Sequence, residues 1–213
     1  MIEALIFPLG ALFKYGRDYS SVASKVSSSY HVNIPGPSPG PSEIMAAIEA
    51  LSDEAQRRKA IAEAASLLAE AELHFAEDAV LRPGADSGLR SAASRSLKLG
   101  LVSDLSLAAT ERILSKAAGV ALFQAMVARD SLAGVHTMTD DLTAVLHNLG
   151  LPPSNSLMFC RSLEEIRLAR DVGLEPVVLA SREHDINALL ASGRSRMLMS
   201  LSEIEDMLSL LPQ

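Results

Sequence analysis

The sequence of 213 residues contains no tryptophan, a single cysteine and only 4% aromatic residues. One cysteine, Cys160, excludes an intramolecular disulfide and favours a reducing compartment such as the cytoplasm over secretion. So few aromatic rings argue against a surface on which nucleic acid bases or sugars stack. Basic residues are outnumbered as well. The chain has 19 Lys and Arg residues and 26 Asp and Glu residues, so its formal net charge is −7. This balance argues against nucleic acid as a partner.

Long hydrophobic runs are also lacking. No stretch approaches the roughly 20 apolar residues of a membrane span, so we expect no membrane partner. The short apolar run at the start contains Glu3 and has no basic residue before it, unlike a secretory signal. We therefore expect a cytoplasmic protein. What the chain does contain is 48% hydrophobic residues and enough length to bury a sizeable core.

Short apolar runs alternate with helical segments after about residue 80. The runs are residues 99–103, 125–128, 157–160, 176–180 and 197–199. The helical segments between them, 105–118, 139–149 and 162–172, are each followed by glycine, as helix ends often are. Residues 4–7 have the composition of a further buried strand, which Pro8 ends. The pattern predicts an α/β fold, a Rossmann-like parallel sheet with helices on both faces.

Residues 17–80 predict a separate helical module without strands. A Pro/Gly-rich loop at residues 33–42 divides it into two helical stretches, and Asp53 with Gln56 predicts a capping box after the loop. An apolar stripe follows at helical spacing and is expected to face the core of the module: Ile61, Ala64, Ala65, Leu68, Ala71 and Phe75. The alternative is that this helical face meets a second copy of the chain or another protein. An insertion of this length is typical of a lid over a site.

Several segments carry a family resemblance through their order and spacing. They are Ala-Leu-Ile-Phe-Pro-Leu-Gly-Ala-Leu at 4–12, Leu-Arg-Pro-Gly-Ala at 81–85, Leu-Lys-Leu-Gly-Leu-Val-Ser at 97–103, Leu-Met-Phe-Cys-Arg-Ser-Leu-Glu-Glu-Ile at 157–166 and Ser-Leu-Ser-Glu-Ile at 200–204. Together they resemble the haloacid dehalogenase (HAD)-like hydrolase superfamily, in particular its phosphatase-like members with an inserted helical cap. The resemblance implies a HAD-like α/β core of residues 1–16 and 81–213, with a helical cap at residues 17–80.

The resemblance also implies which residues would carry the chemistry. In that family an Asp after the first strand attacks phosphorus, and a second Asp two residues later transfers the leaving-group proton. A Ser or Thr and a Lys hold the phosphoryl oxygens, and acids of the fourth motif help to bind Mg²⁺. Here the two Asp positions hold Pro8 and Gly10, whose side chains can neither attack nor transfer a proton. The catalytic motif is therefore degenerate.

Four other positions remain as candidates for an anion or metal site. Ser103 matches the phosphate-binding hydroxyl, or it is a strand-end serine or one that caps the helix beginning near Leu105. His136 lies near the usual Lys, and it could contact an anion when protonated or be a loop histidine without that role. Arg161 replaces a metal-binding acid, which leaves Glu165 as the residual acid for Mg²⁺. Arg161 could hold an anion together with Ser103, or it could pair with Glu165 on one helical face.

Two functions follow as hypotheses. The first is a HAD-like protein that has lost phosphatase activity and acts as a binding or interaction protein, because residues that work as a unit do not keep useful partial activity. It needs no cofactor, and its partner is a phosphorylated small molecule or another anion, a second copy of the chain, or another protein. The alternative is a divergent hydrolase of a small phosphorylated metabolite, in which Ser103, Asp104 or Cys160 attacks. Mg²⁺ is expected only in that case, and Cys160 could instead be a buried structural residue.

Overall fold

The computed structural model describes residues 1–117, 120–131, 137–180 and 196–210. The chain divides into two compact units. One consists of Met1–Lys14 with Val80–Gln213 and is called the α/β unit below. The other is Tyr15–Ala79 and is called the helical unit. The chain leaves the α/β unit once, after its first strand and turn, and returns to it once.

The strands all belong to the α/β unit. They are β1 (Ala4–Pro8), β2 (Phe13–Lys14), β3 (Val80–Leu81), β4 (Lys98–Val102), β5 (Ala125–Val127), β6 (Ser156–Cys160), β7 (Glu175–Leu179) and β8 (Arg196–Leu198). Strands β2 and β3 pair antiparallel where the chain leaves the unit and returns to it. The others form one parallel sheet in the order β5-β4-β1-β6-β7-β8.

The helices begin and end at recognisable positions. They are α1 (Leu9–Leu12), α2 (Ser20–Tyr30), α3 (Pro41–Glu49), α4 (Glu54–Glu77), α5 (Ala85–Ser94), α6 (Leu107–Leu114), α7 (Met138–Leu149), α8 (Leu163–Val172) and α9 (Ile204–Ser209), with 3₁₀ turns at Val120–Leu122, Pro153–Asn155 and Leu201–Glu203. Gly150 and Gly173 end α7 and α8 in the left-handed conformation, as the sequence predicts.

Helices cover both faces of the sheet. On one face α7 and α8 pack on the strands through a core that includes Ile6, Val145, Met158 and Ile166. A side chain at Gly100 of β4 would overlap Val145, so the glycine lets α7 approach this strand closely. Helix α5 contacts β4 and packs against α9. The predicted α/β fold with a parallel sheet and helices on both faces is confirmed.

The helical unit contains three helices, α2, α3 and α4, where the sequence predicts two stretches. Pro41 lies in the first turn of α3 although the predicted loop extends to residue 42, because proline is tolerated at the first helical position. Of the predicted stripe on α4, Ala64 and Leu68 are fully buried in the core of the unit, and Ile61, Ala71 and Phe75 pack partly buried against it. Ala65 is exposed, and the helix instead buries Ala60, Glu72 and Ala76.

No helix in the described ranges is both long and apolar enough to cross a membrane.

Candidate functional site

The central strand β1 lies at the point where the strand order reverses. It pairs with β4 on one side, with Pro8 opposite Val102, and with β6 on the other, with Ile6 opposite Met158. Later strands extend the sheet away from β1 in both directions. In open α/β sheets the crevice at the carboxyl ends of such strands is where ligands bind. The residues that follow β1, β4 and β6 are therefore the candidate site.

The turn after β1 offers main-chain polar groups instead of reactive side chains. Pro8 is buried at the end of the strand and is followed at once by the single helical turn α1. Leu9, Ala11 and Leu12 in that turn are buried apolar residues. With proline and glycine at the positions that the family resemblance assigns to the two aspartates, the polar atom placed here is the Gly10 carbonyl oxygen.

Two arginines from distant parts of the sequence converge on that carbonyl. The Nε of Arg82 donates to the Gly10 oxygen at 2.9 Å, and the Nη1 of Arg161 donates to the same oxygen at 3.1 Å. Both arginine side chains are half-buried. A carbonyl oxygen has two lone pairs and can accept both charge-assisted bonds. The contacts place two fixed positive charges beside the turn after β1.

The main chain around Arg82 is fixed at two points. Its N–H donates to the Leu12 carbonyl at 2.8 Å, which continues the β2–β3 pairing. Two residues later Gly84 has φ of 78°, and a side chain there would overlap the main chain of Ser202. Sequence analysis identified the Pro-Gly pair at this turn but missed Arg82. The available signal was an arginine directly before the turn that leads back into the core.

Arg161 follows β6, whose end is fixed by aromatic packing. Phe159 stacks on Phe7 of β1 with ring centroids 4.4 Å apart and planes within 9° of parallel. Both rings are fully buried. Because β1 and β6 are neighbours, the stack fixes the ends of both strands next to each other. Arg161 lies two residues after Phe159, and its guanidinium contacts the Gly10 carbonyl.

The carboxylate of Glu165 serves the start of α8. Its Oε2 accepts hydrogen bonds from the main-chain N–H groups of Arg161 and Ser162, and the Ser162 hydroxyl accepts the Glu165 N–H at 3.1 Å. This is a capping box, in which an acid also complements the positive end of the helix dipole. Arg161 and Glu165 therefore do meet, through the main-chain N–H of Arg161.

Ser103 follows β4 and its hydroxyl is directed into the protein. The residue is 1% exposed. Its Oγ accepts a hydrogen bond from the Thr110 hydroxyl at 2.7 Å and another from the Leu105 N–H at 3.2 Å. The helix that follows begins at Leu107, close to the predicted start near Leu105, but it is capped by Ser106, so the capping role considered for Ser103 is wrong. Ser103 instead ties the turn after β4 to α6.

Cys160 and His136 complete the set of sequence candidates. Cys160 is fully buried, and its thiol donates to the Met158 carbonyl at 3.4 Å. Burial raises the pKa of this thiol far above its ordinary value, and the nearby Glu165 carboxylate raises it further, while Arg170 lowers it. A thiol that stays protonated is a structural residue and a poor nucleophile. His136 lies outside the described residues.

A pocket of about 210 Å³ opens beside the two arginines. Its walls come from the turn after β1, the ends of β7 and β8 and the Pro83 turn, and its described lining residues are Ala11, Arg82, Pro83, Arg161, Leu179, Ala180, Met199, Ser200 and Leu201. Apart from the two arginines, this lining is mainly apolar. Ser103 is not part of it, so the structure separates the two residues that sequence analysis proposed as joint anion ligands.

The family resemblance implies Mg²⁺, and the residues at this edge do not fit that ion. Mg²⁺ requires near-octahedral oxygen ligands, usually including one or two carboxylates. Pro8 and Gly10 have no side-chain oxygen, Arg161 places a positive charge next to the turn, and Glu165 is bound to the start of α8. In the ranges that the structure describes, no group of three or more His, Cys, Asp or Glu residues could hold a metal ion.

Comparisons with known proteins identify the fold. No protein-family model matches the sequence, and no curated protein matches it significantly. Among solved structures, a putative beta-phosphoglucomutase from Thermotoga maritima is 23% identical with a TM-score of 0.62, and the match covers 99% of this chain and 100% of that one. CbbY from Rhodobacter sphaeroides in complex with phosphate is 20% identical, with a TM-score of 0.63 and 96% of each chain covered. A putative haloacid dehalogenase-like hydrolase from Bacteroides fragilis is 12% identical, with a TM-score of 0.69 over 96% of this chain and 100% of that one. The resemblance seen in the sequence is thus confirmed, and the chain has the fold of the haloacid dehalogenase-like hydrolases.

Proposed function

We propose that this chain is a pseudoenzyme of the HAD-like fold, which binds a small anion such as a phosphorylated metabolite and does not hydrolyse it. The observation that carries the proposal is the pair of guanidinium groups, those of Arg82 and Arg161, on the Gly10 carbonyl at the carboxyl edge of the sheet. Arginine keeps its charge at all physiological pH values and binds phosphate through several donors. Binding at this position needs no metal ion.

Loss of phosphatase chemistry is supported by the two positions that lack their aspartates and by the states of Ser103 and Cys160 in the structure. Pro8 and Gly10 have no reactive side-chain atom. The Ser103 hydroxyl is buried and hydrogen-bonded to Thr110 and Leu105, and the raised pKa of the Cys160 thiol keeps it protonated. Covalent catalysis needs an activated nucleophile beside a base, and removal of the nucleophile alone abolishes nearly all activity in enzymes whose residues act as a unit.

Anion binding is supported by the position of the arginines and by one neighbour. The arginines lie where the strand order of the sheet reverses, the usual place of a ligand in this class of fold. CbbY from Rhodobacter sphaeroides was solved in complex with phosphate. In the sequence, the helical unit occupies the position of the family's cap, and we propose that role for it. A reducing, cytoplasmic location fits the single free thiol of Cys160.

The alternative is a divergent hydrolase of a small phosphorylated metabolite. It is favoured by the names of the neighbours, which include a predicted phosphoglycolate phosphatase from Haemophilus somnus and the putative beta-phosphoglucomutase from Thermotoga maritima. In this chain the carboxylate left for such a role is Asp104, half-buried next to the end of β4. A reaction through Asp104 would need Mg²⁺ or the arginines to neutralise the phosphoryl group.

Thermal unfolding and turnover separate the two functions. Sodium phosphate, titrated into the millimolar range against sodium chloride of equal ionic strength, is expected to raise Tm equally in EDTA and in MgCl₂. At a concentration 100 times the Kd the stabilisation is about 2.7 kcal/mol. Hydrolysis of p-nitrophenyl phosphate is expected to be no faster for the wild type than for Asp104→Asn. If phosphate raises Tm no more than chloride does, anion binding is refuted. If the wild type shows Mg²⁺-dependent turnover that Asp104→Asn loses, the alternative is established.

A further inference from the structure

A groove of about 380 Å³ lies between α2 and α4 within the helical unit. The start of α2 is at the end of α4, because the Tyr19 ring meets the Phe75 ring edge-on with centroids 5.1 Å apart. The end of α2 is further back along α4, where the Tyr30 hydroxyl donates to the Glu63 carboxylate at 2.6 Å. The two helices are therefore antiparallel. The volume of the groove is within the roughly 300–1,000 Å³ of small-molecule sites.

The groove has an apolar base and a polar rim. Its apolar residues belong to the core of the helical unit or pack against it, and its polar residues are exposed. From the side of α2 the lining residues are Asp18, Ser21, Val22 and Lys25, and from α4 they are Leu67, Glu70, Ala71, His74 and Phe75. The spacing of three and four residues along each segment places them on one face of the helix pair.

Two opposite charges of the rim face each other without pairing. Because the helices are antiparallel, Lys25 of α2 lies level with Glu70 of α4, between the two contacts that join the helices. Within the described residues, neither side chain makes a hydrogen bond or an ion pair. The groove therefore separates an ammonium group from a carboxylate that a closed helix pair would bring together.

The other two charged residues of the rim already have neighbours of their own. The Asp18 carboxylate accepts the Ser20 N–H at 3.0 Å, and this bond lowers the pKa of Asp18. The Nδ1 of His74 lies 3.8 Å from the Glu77 carboxylate. Lys25 and Glu70 are therefore the charged groups available to a ligand in the groove.

We infer that this groove binds a small zwitterion with an apolar body, such as an aliphatic α-amino acid. The ammonium group of the ligand pairs with the Glu70 carboxylate, its carboxylate pairs with the Lys25 ammonium group, and its side chain covers the apolar base. A ligand with a single charge leaves one of the two rim residues without a partner. The groove belongs to the helical unit and the two arginines belong to the α/β unit, so the inference does not depend on the proposed function.

NMR titration of the full chain labelled with nitrogen-15 tests the ligand class with three probes of similar shape. They are L-leucine, 4-methylpentanoate, which lacks the ammonium group, and 3-methylbutylamine, which lacks the carboxylate. L-leucine is expected to bind about tenfold more tightly than either analogue, because a hydrogen bond to a charged group contributes roughly that factor. Its amide shifts are expected in residues 18–25 and 67–75. Equal affinities for the three probes, or no leucine-induced shift in these segments, overturn the inference.

Two variants assign the two charges of the ligand. Lys25→Gln is expected to weaken L-leucine about tenfold and to leave 3-methylbutylamine unchanged, whereas Glu70→Gln weakens L-leucine by a similar factor and leaves 4-methylpentanoate unchanged. Lys59→Gln and Glu49→Gln are the matched controls, because they remove the same charges at exposed positions outside the groove and are expected to change no affinity. If L-leucine binds Lys25→Gln or Glu70→Gln as tightly as the wild type, the inference is wrong.

Discussion

The carboxyl ends of β4 and β6 lie on either side of β1, and their polar residues have opposite roles. After β4, the Ser103 hydroxyl is 1% exposed and accepts hydrogen bonds from inside the protein. After β6, Arg161 contacts the Gly10 carbonyl and lines a pocket. Equivalent positions along a parallel sheet therefore do not determine a residue's role. The role depends on which way the side chain is directed and on the partners it meets there.

The largest effect is expected from Phe159, whose ring joins the end of β6 to β1. Phe159→Ala removes a fully buried ring stacked on Phe7 and is expected to lower the free energy of unfolding by about 3–5 kcal/mol. Phe123→Ala is the matched control, because that half-buried ring meets Phe7 edge-on at 6.5 Å. Urea unfolding followed by circular dichroism measures both. Equal losses for the two variants would show that the stack does not fix this end of the sheet.

A smaller loss is expected at the end of β4. Ser103→Ala leaves the Thr110 hydroxyl and the Leu105 N–H without their acceptor in a buried position, which costs about 1–3 kcal/mol. The phosphate-induced rise in Tm is expected to stay the same, because Ser103 does not line the pocket. Chemical denaturation of the variant measures the loss of stability, and phosphate titration of the same variant measures the rise in Tm. A lost phosphate effect with unchanged stability would make Ser103 an anion ligand after all.

Glu165 tests whether the acid after β6 serves a helix or a metal ion. Glu165→Ala removes the capping-box carboxylate and is expected to cost roughly 0.3–1.5 kcal/mol, whereas Glu165→Gln keeps an acceptor and costs less. The urea midpoints of both variants are compared with and without MgCl₂. Stabilisation of the wild type by MgCl₂ that both variants lose would assign Glu165 to metal binding.

The smallest effect is expected at the amino end of β6. The Ser156 hydroxyl is fully buried, and among the described residues it has no hydrogen-bond partner. Ser156→Ala removes an unsatisfied polar group, so the free energy of unfolding is expected to be unchanged or to rise by up to about 1 kcal/mol. Comparing Ser156→Ala with Ser103→Ala in the same assay shows whether the loss of stability on replacing a buried serine depends on its hydrogen bonds or on its burial alone. A loss as large as that of Ser103→Ala would contradict this explanation.

Much of the α/β unit could be predicted from sequence because its strands are short apolar runs bounded by turns. The run at 157–160 corresponds to β6 (Ser156–Cys160), and the run at 176–180 corresponds to β7 (Glu175–Leu179). Glycine after α7 and α8 located both helix ends. The start of α4 was located by its predicted cap, because the Asp53 side chain accepts the Gln56 N–H, but α3 (Pro41–Glu49) was not predicted as a separate helix.

The candidate site was less predictable because its geometry depends on contacts between distant segments. Arg82 and Arg161 lie 72 and 151 residues from Gly10, and neither distance leaves a local pattern. The direction of the Ser103 hydroxyl depends on Thr110, one turn into the next helix. Sequence periodicity identifies which residues follow strands, but it does not indicate which groups their side chains contact.

The shared acceptor of the two arginines is a main-chain atom, and this affects how the site can be detected. Any substitution at residue 10 retains the carbonyl that receives both guanidinium groups. A scan of single substitutions through residues 8–12 would therefore alter side chains but never remove the acceptor atom itself. An insertion or deletion that rotates the turn would displace the carbonyl while the composition of the loop hardly changed. In this protein the path of the backbone, more than the identity of the loop residues, carries the information that defines the site.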